Sequence, residues 1–146
     1  MHIRRPPITD RKLRFALVGC GRVAQNHIAA LQAHAAQAEL VAVCDTDAAA
    51  LQRAVQATGA QGFDSLGALL AGSQPDCVAL ATPSGLHPQQ VIEIAAAGID
   101  VMTEKPMATR WATVWRWCAP ATKRACACSS SSRTAATARC SCSSRR

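Results

Sequence analysis

The sequence predicts an α/β fold in which a parallel β-sheet is covered by helices on both faces. Short apolar runs alternate with amphipathic helical runs between Leu13 and Thr103. Turn residues such as Gly19, Gly59 and Gly98 separate these runs. Strand–helix–strand units at this spacing are right-handed crossovers that build a parallel sheet. A chain of 146 residues has room for one such core.

The first strand is predicted over residues 13–18, where LRFALV is a buried run that ends at Gly19. The next helix should turn one apolar face to the sheet, formed by Val23, His27, Ile28 and Leu31. On that face we interpret His27 as a core histidine with satisfied polar atoms rather than as a ligand. A second strand, ELVAVC over residues 39–44, ends at Asp45.

The second helix should begin at Thr46, whose hydroxyl can cap it. Leu51 and Val55 are expected to face inward, and Gly59 supplies the stop. A short third strand contains Phe63. This segment therefore repeats the strand–helix unit that precedes it.

Ser65 is predicted to cap a brief third helix, which carries Leu66, Leu69 and Leu70. A fourth strand spans residues 76–81. Pro88 suits the first turn of a fourth helix, and Gly98 ends it. The apolar face of that helix is formed by Val91, Ile92 and Ala95. Residues 99–103 form the fifth strand, so about five strands are predicted.

The net charge of +7 comes from one end of the chain. Residues 1–109 carry eight Lys or Arg and nine Asp or Glu, whereas residues 110–146 carry eight Lys or Arg and no acid. Five of the eight cysteines also lie in the second part, from Cys118 onward. The charge is therefore no property of the predicted sheet, and the two parts need separate interpretations. No run is apolar enough to cross a membrane or direct secretion, so a cytoplasmic protein is expected.

Residues 19–24 read Gly-Cys-Gly-Arg-Val-Ala, a G-x-G-x-x-A motif between the first strand and the first helix. Gly19 permits a tight turn, Gly21 lets the backbone approach a pyrophosphate, and Ala24 lets the helix sit close to the strand. Exposed N–H groups and the helix dipole then favour phosphate. The motif alone is weak, but here it stands between a strand and a helix, as nucleotide binding requires.

Asp45 ends the second strand, where a carboxylate can accept hydrogen bonds from the adenosine ribose. The same charge repels a 2′-phosphate, so NAD is expected in preference to NADP, although Thr46 leaves some room for NADP. The alternative is a structural turn with a helix-capping acid. Position at the end of a strand favours the cofactor interpretation.

Two further segments follow the fourth and fifth strands, TPSGLHP over residues 82–88 and EKP over residues 104–106. Together with the glycine motif and Asp45, in this order, they resemble the Gfo/Idh/MocA oxidoreductase family, whose cofactor domain is a Rossmann doubly wound sheet. Within it the likeness is strongest to the UDP-N-acetylglucosaminuronate (UDP-GlcNAcA) 3-dehydrogenase type, which makes sugars for bacterial surface polysaccharide such as lipopolysaccharide. The resemblance covers about residues 13–111.

The resemblance implies a role for each matching position. The pyrophosphate would lie against Gly19, Gly21, Arg22 and Val23, and Asp45 would hold the adenosine ribose. The path to the nicotinamide would be lined by Thr82, Pro83 and His87. Glu104 and Lys105 would reach the nicotinamide ribose, with Lys105 also beside the hydroxyl that is oxidised. An ammonium there can stabilise negative charge on that oxygen during the oxidation. No metal and no specific nucleic acid are expected, and the resemblance implies homo-oligomers among full-length members.

The segment after residue 111 does not match this pattern. Residues 118–146 contain no Val, Leu, Ile or Phe, so they cannot bury enough apolar surface to order themselves. Family members continue instead with a sixth strand and a second α/β domain. Shifting the tail's codons by one base, with G/C-rich third positions, allows an amphipathic helix and a buried strand. We therefore expect a truncated chain with a frameshift just after Trp111.

Two other interpretations of the tail are weaker. The pairs Cys126/Cys128 and Cys140/Cys142 offer four thiolates, but their C-x-C spacing lacks the usual zinc-knuckle geometry. The basic charge would attract nucleic-acid phosphates, but the stretch lacks stacking aromatics. The domains expected are an arm over 1–12, an NAD-binding domain over 13–111 and an aberrant tail over 112–146. Two functions remain open: an oxidoreductase of nucleotide sugars, or a nucleotide-binding fragment without turnover.

Overall fold

The computed structural model describes residues 8–104, which form one five-stranded parallel sheet. The strands are β1 (Leu13–Val18), β2 (Ala38–Cys44), β3 (Gln61–Phe63), β4 (Cys77–Leu80) and β5 (Asp100–Thr103). The helices are α1 (Ala24–Ala33), α2 (Ala48–Thr58), α3 (Leu66–Gly72) and α4 (His87–Ala96). The strand order is β3-β2-β1-β4-β5, so the chain runs outward from β1 in one direction and then from β4 in the other. The predicted Rossmann sheet is confirmed.

Helices cover the sheet on both faces, and each face has its own core. On one face the apolar side chains of α3 and α4, including Leu69, Val91 and Ile94, pack on Val78 and Leu80. On the other face α1 and α2 contribute mainly small side chains, among them Ala24, Ala50 and Ala54. Small residues let a helix lie close to the strands, as the sequence predicted for Ala24. The sheet is therefore doubly wound.

Three details of the helices differ from the prediction. The second helix is capped by Asp47, whose carboxylate accepts from the N–H of Ala49 at 3.0 Å, and not by Thr46. In α4 the fully buried position is Ile94, which lies three residues after Val91 on one helical face, while Ile92 is only partly buried. Val23 is 43% exposed because it precedes the first residue of α1 and lies outside its buried face.

An ion pair joins the segment before β1 to the residue before β4, at the amino ends of these two strands. The two terminal guanidinium nitrogens of Arg11, Nη1 and Nη2, donate to the carboxylate of Asp76 at 2.6 and 2.7 Å. The same carboxylate accepts from the N–H of Arg14 at 2.9 Å. These bonds hold the pKa of Asp76 below its ordinary value, chiefly through Arg11.

Candidate functional site

The carboxyl ends of four strands lie side by side at one edge of the sheet. Val18 of β1 is in register with Cys44 of β2 and with Leu80 of β4, and Leu80 is in register with Thr103 of β5. The residues that follow these positions therefore start at the same edge. The strand order reverses between β1 and β4, and in open α/β sheets ligands bind in the crevice at such a point.

At the start of this crevice the backbone has a conformation that only glycine, here Gly19, adopts readily. Its φ is +92°, a conformation that side chains disfavour. A Cβ built on it would lie 2.8–2.9 Å from main-chain atoms of Ala81 and Thr82. The loop after β1 thus packs directly on the backbone of the loop after β4. A side chain at position 19 would separate the two loops that border the crevice.

Gly21 differs from Gly19, because a Cβ on it would meet nothing within 4 Å. The open space lies beside the N-terminus of α1, which is ten residues long. Within the part of the chain that the structure describes, the N–H groups of Gly21, Arg22 and Val23 form no hydrogen bond. Unpaired N–H groups at a helix N-terminus form a binding site for an anionic group such as pyrophosphate. Gly21 keeps the approach to them open.

Asp45 is tied to the glycine loop by its own carboxylate. One oxygen accepts from the N–H of Cys20 at 2.7 Å, and the other accepts from the N–H of Asp47 at 2.8 Å. The partly buried acid is therefore fixed beside residues 19–21 before any ligand binds. Each carboxylate oxygen retains a second acceptor site, which suits hydroxyl groups of a ribose.

The two cysteines beside this carboxylate are buried and weakly acidic. Burial, followed by the charge of Asp45, raises the pKa of Cys20 to about 11. Burial likewise raises the pKa of Cys44 to about 11. The Cys20 thiol donates to the Cys44 carbonyl at 3.5 Å. Both residues act as small apolar groups of the core and not as nucleophiles.

A hydrogen bond from the buried side chain of His87 fixes the loop between β4 and α4. This side chain is 1% exposed, and its Nε2 donates to the carbonyl oxygen of Thr82 at 2.8 Å. The Thr82 hydroxyl donates to Oε1 of Gln90 at 2.6 Å. Pro83 is exposed at the surface of the loop. The three predicted residues thus lie close together, but His87 is buried, with its Nε2 on the main-chain carbonyl of Thr82.

Glu104 follows β5 and lies close to His27 of α1. The distance between Oε1 of Glu104 and Nε2 of His27 is 3.0 Å. The Nε2 atom is buried and has no well-aligned hydrogen bond among residues 8–104, so the contact is electrostatic. The side chain of His27 is largely buried, as predicted, but the prediction that its polar atoms are satisfied was wrong for Nε2, because helical spacing does not show which side chain lies opposite. Lys105 lies outside the described residues.

Neither a metal centre nor a membrane span is found between residues 8 and 104. That segment holds no cluster of three or more His, Cys, Asp or Glu side chains suited to a metal ion. Its helices are too short and too polar to cross a bilayer. The C-x-C pairs considered for zinc lie outside the described residues.

Three contacts between side chains and their partners in the site were not predicted from the sequence. Asp45 is bonded to Cys20, His27 faces Glu104, and Thr82 is bonded to Gln90. Only the last has a sequence signal, since Gln90 follows a proline at the first turn of a helix and so lies near the preceding loop. The other two pairs join residues distant in sequence, and only the folded sheet brings them together.

Comparison with known proteins identifies relatives of this arrangement. The Gfo/Idh/MocA model, described as an oxidoreductase family with an NAD-binding Rossmann fold, matches residues 13–132. The WlbA dehydrogenase from Chromobacterium violaceum, solved in complex with NADH and UDP-GlcNAcA, is 56% identical with a TM-score of 0.85, over 88% of this chain and 37% of that one. WlbA from Bordetella pertussis, solved with the same two ligands, is 54% identical with a TM-score of 0.76, over 77% and 35%.

A more distant relative is the rhizopine catabolism protein MocA of Rhizobium meliloti. It is 35% identical over 65% of this chain and 29% of its own length. The chain thus spans about a third of the length of the relatives that it matches.

Proposed function

The chain belongs to the Gfo/Idh/MocA oxidoreductase family, and from that premise we propose that it is the NAD-binding part of a nucleotide-sugar dehydrogenase. The proposed substrate class is a UDP-linked uronate sugar of the UDP-GlcNAcA kind, oxidised at one CH–OH group. One observation carries the choice of substrate. Identity is 56% and 54% to the two WlbA enzymes that were solved with UDP-GlcNAcA, against 35% to MocA.

The residues at the carboxyl edge fit a dinucleotide. The open space at Gly21 and the unpaired N–H groups of residues 21–23 suit a pyrophosphate, and the position of Gly19 holds the loop that presents them. Asp45 has acceptor capacity for the adenosine ribose, and its charge disfavours a 2′-phosphate. NAD is therefore the proposed cofactor, with NADP binding more weakly.

The nicotinamide half is assigned to the loops after β4 and β5. Thr82 and Pro83 border the path, and His87 supports it by fixing the Thr82 carbonyl. Glu104 and the adjacent Lys105 are proposed to contact the nicotinamide ribose. NAD, when bound, supplies a hydride acceptor. Oxidation of the CH–OH group releases its hydroxyl proton to solvent and transfers its hydride to NAD. The proposed catalytic role of Lys105 is to stabilise with its ammonium the negative charge that builds on the substrate oxygen as the proton leaves.

The activity assay uses the full chain with NAD and UDP-GlcNAcA, and it follows absorbance of NADH at 340 nm. The proposal expects NADH to form with UDP-GlcNAcA and much more slowly with myo-inositol, and it expects the Lys105→Met variant to be inactive. Binding of NADH in a parallel titration without turnover would support the second candidate, a cofactor-binding chain without catalytic activity. Failure to bind NADH would overturn both.

A further inference from the structure

His27 and Glu104 form a contact that the proposed cofactor site does not by itself require. His27 lies on α1, one turn after the glycine loop, and Glu104 is the first residue after β5. Their side chains approach to 3.0 Å and are 12% and 33% exposed. The contact therefore joins the helix that begins at the pyrophosphate loop to the strand end at the nicotinamide side.

The imidazole is placed to act on the carboxylate. Nε2 of His27 is buried, and a carboxylate oxygen of Glu104 lies 3.0 Å from it. A carboxylate is an acceptor only, so attraction to Nε2 requires a proton on that atom. A negative side chain at this edge also repels an anionic pyrophosphate, and a neighbouring imidazole restrains where that charge can lie.

We propose that His27 is a positioning residue that holds the Glu104 carboxylate where it accepts a hydrogen bond from the nicotinamide ribose. The inference rests on the proposed function. A glutamate side chain has several rotatable bonds, and a one-third exposed one loses conformational freedom when a ligand binds it. Restraint by His27 before binding reduces that loss, which is the usual effect of preorganisation.

A merely structural role for His27 makes a different prediction. If the contact only fixes the position of α1 against β5, its removal should also disturb the glycine loop, because α1 begins directly after that loop. Every nucleotide should then bind more weakly. If His27 acts through Glu104, only ligands that include the nicotinamide ribose should lose affinity. ADP contains the adenosine and the pyrophosphate but lacks that ribose, so it separates the two cases.

The experiment measures the Kd of NADH and of ADP by isothermal titration on the full chain and on His27→Leu, His27→Gln and Glu104→Gln. We expect His27→Leu to weaken NADH binding about tenfold, as for loss of an electrostatic contact to a charged group, and to leave ADP within about twofold. His27→Gln keeps an N–H near the position of Nε2 and should recover most of the affinity. The double variant His27→Leu/Glu104→Gln should bind NADH no more weakly than Glu104→Gln alone.

Parallel loss of ADP and NADH affinity, or unchanged NADH affinity in His27→Leu, would overturn this inference. If His27→Leu does not fold, His27→Asn, whose shorter side chain does not reach the position of Nε2, replaces it in the same cycle with Glu104→Gln, and additive losses would overturn the coupling. A wild-type chain that binds ADP and NADH with equal affinity would also contradict a contact at the nicotinamide ribose. A wild-type chain that binds neither would overturn the proposed function itself.

Discussion

Replacement of Gly19 by alanine should destabilise the fold through the backbone of two loops. An alanine held at φ +92° costs roughly 1–2 kcal/mol. Its Cβ would also lie 2.8–2.9 Å from main-chain atoms of Ala81 and Thr82, which no side-chain rotation can relieve. Overpacking of this kind costs roughly 1–3 kcal/mol. The free energy of unfolding should therefore fall by about 2–5 kcal/mol, a large share of the stability of a small domain.

The assay is urea unfolding of the full chain followed by circular dichroism at 222 nm. With a slope on the order of 1 kcal/mol per molar urea, the midpoint for Gly19→Ala should fall by about 2 M or more. Gly21→Ala is the matched control, because a Cβ there meets nothing within 4 Å and should leave the midpoint nearly unchanged. A Gly19→Ala midpoint equal to that of Gly21→Ala would refute the close approach of the two loops.

Three further outcomes are expected. Asp45→Asn keeps an acceptor for the Cys20 N–H but loses the charge, so the ratio of NADPH to NADH affinity should rise about tenfold in fluorescence titrations; an unchanged ratio would show that the charge sets no preference. Arg11 holds the pKa of Asp76 below its ordinary 3.8, so the ionised acid stabilises the fold above about pH 4 and that stabilisation is lost as the pH falls through the lowered pKa. The difference in Tm between the wild type and Asp76→Asn should therefore shrink only below that pH, and a difference constant from pH 7 to 3 would contradict the ion pair. Because burial raises the pKa of Cys20 and Cys44 to about 11, on the order of 0.1% is thiolate at pH 8, and iodoacetamide should label both far faster in urea than in the native chain; equal labelling rates would contradict their burial.

The fold was largely predictable because each strand is a short apolar run between turn residues. The sequence placed β1 at residues 13–18, as observed, and the predicted boundaries of β2, β4 and β5 differ from the observed ones by at most one residue. For the third strand only the inclusion of Phe63 was predicted, and β3 contains it. The capping residue of a helix was harder to predict where two neighbouring residues can both cap it. Thr46 and Asp47 can both cap a helix, and Asp47 does so because Asp45 fixes its N–H.

The site was predictable only in part. The Gly19 turn and the placement of Asp45 and Thr82 follow from the ends of strands, which parallel pairing brings to one edge. The burial of His87 and the approach of His27 to Glu104 depend on how α4 and α1 rotate on the sheet. Helical periodicity specifies which face is apolar, but not which polar atom of another element lies opposite it.

The central claim is that an anionic dinucleotide lies against the open glycine at the start of α1. Its most direct test is titration of NADH into the full chain and into Gly21→Ala, with folding of both checked by circular dichroism. We predict saturable one-to-one binding to the wild type and at least about a tenfold loss in Gly21→Ala, since a methyl group would occupy the approach to the unpaired N–H groups. No binding to the wild type, or equal binding to a folded Gly21→Ala, would contradict the claim.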